Sequence, residues 1–206
     1  MQSLASMLAK QQKYYTPEEY LALEESADYK SEYYQGEIFA LAGASVNHNR
    51  LAGNVHTALN NAFESRRCEA FMGDVRLLVK KNGLYTYPDV MVVCGQLEFV
   101  KGRTDTITNP AVIIEVLSEA TQAYDRGAKF ELYRALDTLQ DYVLIDQARV
   151  YVEYFHKLAD GRWLLTELNT LEAVLKLESV EVELPLSRIY QRVEWESQLP
   201  GVETPG

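Results

Sequence analysis

A mixed α/β domain is the fold class this sequence predicts, and three observations carry the prediction. A strand, a helix and a second strand follow one another over 111 to 117, 121 to 136 and 141 to 146, the order of a crossover unit whose two strands run parallel. Hairpin signals lie on both sides of that unit, so antiparallel strands join the same sheet and helices cover it. Hydrophobic residues make up 47% and charged residues 24% of the 206, which is the balance of a globular chain with one sizeable core and excludes disorder, collagen and coiled coil. No Pro/Gly/Ser-rich break, charge block or repeat interrupts 14 to 195, so 1 to 206 reads as a single domain with loose ends at 1 to 13 and 197 to 206.

Each element has a local cause. Thr16-Pro17-Glu18-Glu19 places a capping hydroxyl, a proline at the first helical position and a glutamate three residues after the cap, predicting a helix over 17 to 27. Residues 31 to 41 form two short strands joined at Gln35-Gly36. A helix over 46 to 66 carries Leu51, Val55, Leu59 and Ala62 at helical spacing, with Asn47-His48-Asn49 at its start. The runs 69 to 79 and 84 to 94 make a hairpin about Lys80-Lys81-Asn82-Gly83, and the second ends in Val90-Met91-Val92-Val93, a continuous apolar run of the kind a doubly covered strand requires. A polar loop at 95 to 110 leads to the equally apolar 111 to 117. After the crossover helix come strands at 141 to 146, 150 to 157 and 162 to 168, the last two joined at Asp160-Gly161. Strand-like patches at 174 to 184 and a short helix over 185 to 190 complete the chain.

Two acids sit where this pattern forbids them: Asp89 before Val90, and Glu115 inside the apolar run 111 to 117. A carboxylate in a covered strand costs several kcal/mol unless it is paired, hydrogen-bonded or coordinates a cation. Residues 113, 115 and 117 share one face, which sets Glu115 between Ile113 and Leu117. The following helix offers a partner, because Lys129, Leu132, Tyr133 and Leu136 lie on one stripe that faces the sheet. Two carboxylates and a lysine together can hold a divalent cation and a water for phosphodiester hydrolysis. The same residues also admit a plain structural account: acids paired with arginine at fraying strand ends, and a solvated Asp125–Lys129 pair at i, i+4.

Taken in order, these residues resemble the PD-(D/E)XK nuclease superfamily, and within it the Uma-two family of restriction endonuclease-like proteins. The matching residues are Glu32 to Glu37 with its Gly36, His48 at a helix start, Tyr87-Pro88-Asp89 with the apolar run after it, Ile114 to Ser118, then Thr121, Asp125, Lys129 and Tyr133, and last Asp141 to Asp146, together spanning about 16 to 165. The resemblance implies a restriction-endonuclease-like mixed sheet flanked by helices and a Mg²⁺- (or Mn²⁺-) dependent endonuclease acting on DNA. It makes Asp89, Glu115 and Lys129 catalytic, with Asp89, Glu115 and Glu32 as metal ligands. His48 is a further candidate, to contact the scissile phosphate or position a water, although a histidine at a helix start also serves as a cap or a packed ring. One departure is plain: the lysine of the (D/E)XK triplet falls on Leu117, so the resemblance implies that the lysine has moved to Lys129.

The sequence offers no phosphate-binding glycine loop, dinucleotide fingerprint, zinc-protease helix or serine nucleophile elbow. Its 20 Lys+Arg against 30 Asp+Glu, a net charge of −10, sits awkwardly with nucleic-acid binding, whose affinity is mostly phosphate neutralisation. A non-enzymatic nucleic-acid-binding or regulatory module that kept the nuclease fold is the alternative, its non-enzymatic side mildly favoured by the acidic charge, and an acid/base glycosidase pair is less apt because it leaves Lys129 without a part. The absence of an apolar span or leader predicts no membrane partner and a cytoplasmic location. Cys68 and Cys94, at no metal-ligand spacing, point to a reducing compartment and small buried apolar thiols. The 14 tyrosines, with the likeness to nucleases that cut both strands, predict a homodimer.

Overall fold

The structure, a computed structural model, describes residues 13–195. The ends expected to be loose lie outside them, Lys13 excepted. Thr16 caps α1 (Pro17–Glu24) as expected: its hydroxyl accepts from the Glu19 N–H while the Glu19 carboxylate accepts from the Thr16 N–H. Buried Tyr20 of α1 stacks on Tyr33 at 5.1 Å, and Tyr85 closes a three-ring cluster. Strands β1 (Ser31–Tyr34) and β2 (Glu37–Ala40) meet at Gln35-Gly36, both at positive φ, as a two-residue hairpin turn demands. Helix α2 (Val46–Phe63) starts at Ser45, whose hydroxyl accepts from the His48 N–H, and ends three residues short of the expected 66.

The long hairpin expected over 69 to 94 is broken on both arms. One arm becomes β3 (Cys68–Met72) and β4 (Arg76–Val79), the other β5 (Leu84–Thr86) and β6 (Val90–Cys94). Gly73-Asp74 interrupts the first arm, and Pro88, which has no N–H to give a ladder, interrupts the second. The hairpin thus changes sheets. Its tip pairs in a five-stranded sheet of order β2-β1-β5-β4-β7, where β7 is Thr106–Ile107 inside the expected 95 to 110 loop. Its base enters a six-stranded sheet of order β11-β10-β9-β8-β6-β3. Here β8 is Val112–Leu117, β9 Asp141–Asp146, β10 Val152–Lys157 and β11 Trp163–Leu168. Only β8 and β9 run parallel in this sheet, so the expected crossover in a mixed sheet is present.

The two faces of that sheet carry two cores. On one, Leu51, Val55 and Leu59 of α2 pack on Val112, Ile114 and Val116, joined by the hairpin β12 (Val174–Leu177) and β13 (Val182–Pro185) and by α5 (Leu186–Ile189). On the other, Ile113, Leu117, Met91 and Tyr142 meet Leu77 and Leu84 of the second sheet and Tyr133 and Leu136 from the crossover. Burial of each such side chain contributes roughly 1.5–3 kcal/mol. The crossover helix is not a plain α-helix: α3 (Gln122–Tyr124) and α4 (Phe130–Tyr133) flank a π-helical segment, Asp125–Lys129, and regular helix stops at 133 rather than 136.

The cysteine expectation is corrected. Cys68 and Cys94 oppose one another across β3 and β6, with Cα atoms 4.0 Å apart, and form a disulfide. The inference to a reducing compartment, drawn from free thiols, loses its basis. Of the tyrosines in the N-terminal quarter, Tyr20 and Tyr33 are buried, whereas Tyr14 and Tyr29 are exposed. No helix among the described residues is long and apolar enough to cross a membrane.

Candidate active site

The sheet switch at Pro88 decides where Asp89 goes. Val90 pairs with Ile114 in the β6–β8 ladder, and the same register continued by one residue sets Asp89 opposite Glu115. The two are cross-linked: the Asp89 N–H donates to Glu115 Oε2 at 3.2 Å, and the Val116 N–H donates to Asp89 Oδ2 at 2.7 Å. Because residues alternate along β8, Glu115 falls on the face of Ile113 and Leu117, which the crossover helix covers, and only 3% of it is exposed.

The π-helical turn lies directly above. Its wider winding (i to i+5) marks a departure from regular helix of a kind that recurs at functional sites, and here it turns both Asp125 and Lys129 inward. Lys129 Nζ lies 3.0 Å from Glu115 Oε1, 3.1 Å from Glu32 Oε1 and 3.5 Å from Asp125 Oδ1. The Asp125–Lys129 pair is therefore real but buried, not a solvated surface pair. Tyr133, one turn on, donates its hydroxyl to Glu115 Oε1 at 2.7 Å and fixes that carboxylate from the far side. His48 reaches across from the first turn of α2, with Nε2 3.2 Å from Asp89 Oδ2. A cavity of about 720 Å³ opens over this constellation, lined by Asp89, Glu115, Asp125, Lys129 and His48.

The oxygens of Glu32 accept from the Thr86 hydroxyl at 2.5 Å and the Tyr124 hydroxyl at 3.2 Å and face the Lys129 ammonium, and it is not among the residues that line the cavity. A carboxylate so engaged holds the lysine in place. Among the described residues, no three His, Cys, Asp or Glu side chains form a group able to hold a metal ion. Asp89 and Glu115 remain as an adjacent carboxylate pair on an open cavity, which suits a hard cation that keeps most of its waters and takes one or two protein carboxylates.

The electrostatics follow from crowding. Burial, then Asp89 and Asp125 against the pull of Lys129, pushes the Glu115 carboxyl up to about 8. Burial also works against the charge on Lys129, but Glu115, Tyr133, Glu32 and Asp125 outweigh it and hold the ammonium protonated. At His48 burial opposes charge as well, and the Asp89 hydrogen bond and the nearby acids prevail, raising it. One consequence is measurable. A folded-state value above the unfolded one means that Glu115 contributes stability at low pH and loses it as pH climbs from about 4.5 towards about 8. Urea unfolding in EDTA at pH 5.5, 6.5 and 8 should show wild-type stability falling more steeply than that of Glu115→Gln. Parallel curves would contradict the assignment.

Asp125, Tyr133 and Tyr124 complete the site; the sequence offers Asp125 as a surface partner of Lys129 and Tyr133 as part of its stripe, both also among the residues of the family resemblance, and gives Tyr124 no part. The signal for them was their spacing from Lys129: four residues before it, four after, and five before.

Comparison with known proteins gives four findings. A family model, Uma2, described as "Putative restriction endonuclease", matches residues 17–187. The uncharacterized protein sll1609 of Synechocystis sp. (strain ATCC 27184 / PCC 6803 / Kazusa) is 42% identical over 174 residues, covering 84% of this chain and 94% of its own. A second uncharacterized protein of that organism, slr1290, is 36% identical over 176 residues, covering 85% and 91%. The crystal structure of a "putative nuclease belonging to DUF820" from Anabaena variabilis ATCC 29413 superposes with a TM-score of 0.68 over 84% of this chain and 96% of that one. At 18% identity, that likeness shows a shared fold.

Proposed function

The chain belongs to the Uma2 family, and we propose from the geometry of its cavity that it is a divalent-metal-dependent endonuclease hydrolysing DNA phosphodiester bonds. The observation that carries this reading is the meeting of Asp89, Glu115 and Lys129 on one open cavity, at the switch between two sheets. Asp89 and Glu115 are the pair that would hold Mg²⁺ or Mn²⁺. When bound, such a cation lowers the pKa of a water and neutralises charge on a phosphoryl oxygen.

The chain's own groups do the rest. Lys129 Nζ, kept charged and held by Glu32 and Asp125, donates a proton-bearing edge towards the cavity, where it orients the attacking water or meets a phosphate oxygen as charge builds. His48, held above its ordinary value by Asp89, offers a second positive group to the scissile phosphate. Tyr133, Thr86 and Tyr124 act through Glu115 and Glu32 and are positioning residues.

Supercoiled plasmid and single-stranded circular DNA, each incubated with Mg²⁺, with Mn²⁺ and with EDTA, test the reading. Nicked or linear product that requires the cation is the expected result. Neither DNA cut with either cation would sink it. The net charge of −10, and the presence of Asp28 and Asp74 on the same cavity, would then favour the non-enzymatic binding module.

A further inference from the structure

The six-stranded sheet treats its two edges differently. At the β3 edge, the outward main-chain groups of Ala70 are taken up by side chains of α2: the Ala70 N–H donates to Asn60 Oδ1 at 3.4 Å, and its carbonyl lies 3.1 Å from His56 Nε2. Among the described residues, the β11 edge has no such cover. Hydrogen bonding of the Leu158 N–H to the Arg162 carbonyl, with Lys157 opposite Trp163, fixes the phase of the β10–β11 ladder. Even-numbered residues of β11 therefore turn their main chain inward to β10. The N–H and C=O of Trp163, Leu165 and Glu167 point out to the open edge.

An exposed edge of this kind is usually blunted by lysine, proline or a bulge. Strand β11 contains neither lysine nor proline, pairs without interruption with β10, and exposes 53% of Leu164 on one face and 45% of Leu165 on the other. We propose that this edge pairs with the same edge of a second copy of this chain, antiparallel about Leu165, to give a continuous twelve-stranded sheet. The choice of a second copy follows from self-complementarity. Opposed residues in an antiparallel ladder share a face, so a two-fold axis normal to the sheet must pass through a residue, and only the axis at Leu165 uses every outward group. Leu165 then faces its counterpart, and Trp163 and Glu167 face each other twice, so all six main-chain groups on each edge are used. On the opposite face, Leu164 lies across from Thr166 of the second copy.

This proposal does not rest on the nuclease reading. Seven strand spacings, about 34 Å, separate the two β8 strands in such a dimer, so neither copy reaches the other's cavity. Light scattering on the full chain at tens of micromolar should give twice 23.5 kDa, and hydrogen exchange should show the amides of Trp163, Leu165 and Glu167 protected in proportion to protein concentration. Leu165→Lys sets two like charges opposite one another at the axis and should yield a monomer with an unchanged circular dichroism spectrum and freely exchanging edge amides. A monomeric wild-type chain overturns the proposal. So does a dimer that survives Leu165→Lys, because its interface would lie elsewhere, and so does a dimer whose three edge amides exchange at the same rate when diluted to monomer.

Discussion

Lys129→Gln is expected to lower the cation-dependent cleavage rate by about 10²–10³-fold, the usual cost of removing one preorganised charge from a site where charge develops. It should also destabilise the protein. The ammonium is the counter-ion of three carboxylates at 3.0–3.5 Å, and uncovering buried charges of this kind costs about 3–5 kcal/mol. A slow mutant alone therefore proves little. Lys129→Arg separates the two effects, because it keeps the positive charge while replacing a compact ammonium by a planar fork that the pocket between Glu32, Glu115 and Asp125 does not match. It should fold, with unfolding closer to wild type than the glutamine variant, and still cleave a labelled duplex slowly in single-turnover assays. Full activity in Lys129→Arg would mean that Lys129 only balances charge, and full activity in Lys129→Gln would remove it from the chemistry altogether.

How much of this was legible in the sequence differs from residue to residue, and the differences have causes. Glu115 could be placed because strand alternation is strict: an acid between Ile113 and Leu117 has one face to go to, and that face is apolar. Lys129 could be placed by helical spacing, since the stripe with Tyr133 and Leu136 has to face the sheet. The π-helical turn was not legible, because nothing in Asp125-Arg126-Gly127-Ala128-Lys129 distinguishes i to i+5 winding from i to i+4. Without it, Asp125 passes for a surface residue.

Glu32 is harder to read from sequence, for a different reason. Its position on a hairpin next to a glycine says that it is near the site, whereas its role depends on Thr86, Tyr124 and Lys129 from three other elements. The disulfide lay closer to view than its sequence separation of 26 suggests. The turn at Lys80 to Gly83 closes Val79 on Leu84, and that register run outward brings Cys68 within one residue of facing Cys94. The slip of one residue comes from the sheet switch at Gly73 and Pro88, which a reading of one long hairpin leaves out. That same switch turns Asp89 out of the ladder and into the cavity.

Glu115→Gln should abolish cation-dependent cleavage while leaving the protein folded, and this combination is what a merely structural acid would not give. Glutamine keeps the volume but has one acceptor oxygen in place of two, so with its carbonyl turned to the Tyr133 hydroxyl and Lys129 its NH2 faces the Asp89 N–H, which is left without an acceptor. Stability at pH 7 should therefore fall by about 1–3 kcal/mol, the cost of one buried donor left without its acceptor. Metal affinity is another matter, since one of two anionic ligands is gone. Titration calorimetry with Mn²⁺ should show binding weakened more than the 10–100-fold that loss of a mere supporting partner causes, and plasmid nicking should fall below detection. Tyr133→Phe supplies the graded comparison: it removes one donor to Glu115 Oε1 and no ligand, so its effect on Mn²⁺ affinity should stay within about 10–100-fold and its cleavage should remain measurable. If Glu115→Gln binds Mn²⁺ and cuts as the wild type does, Glu115 holds no metal and its burial beside Lys129 is structural. If it loses binding while Tyr133→Phe loses just as much, the hydrogen bond rather than the charge sets the affinity, and the carboxylate pair is not the metal site.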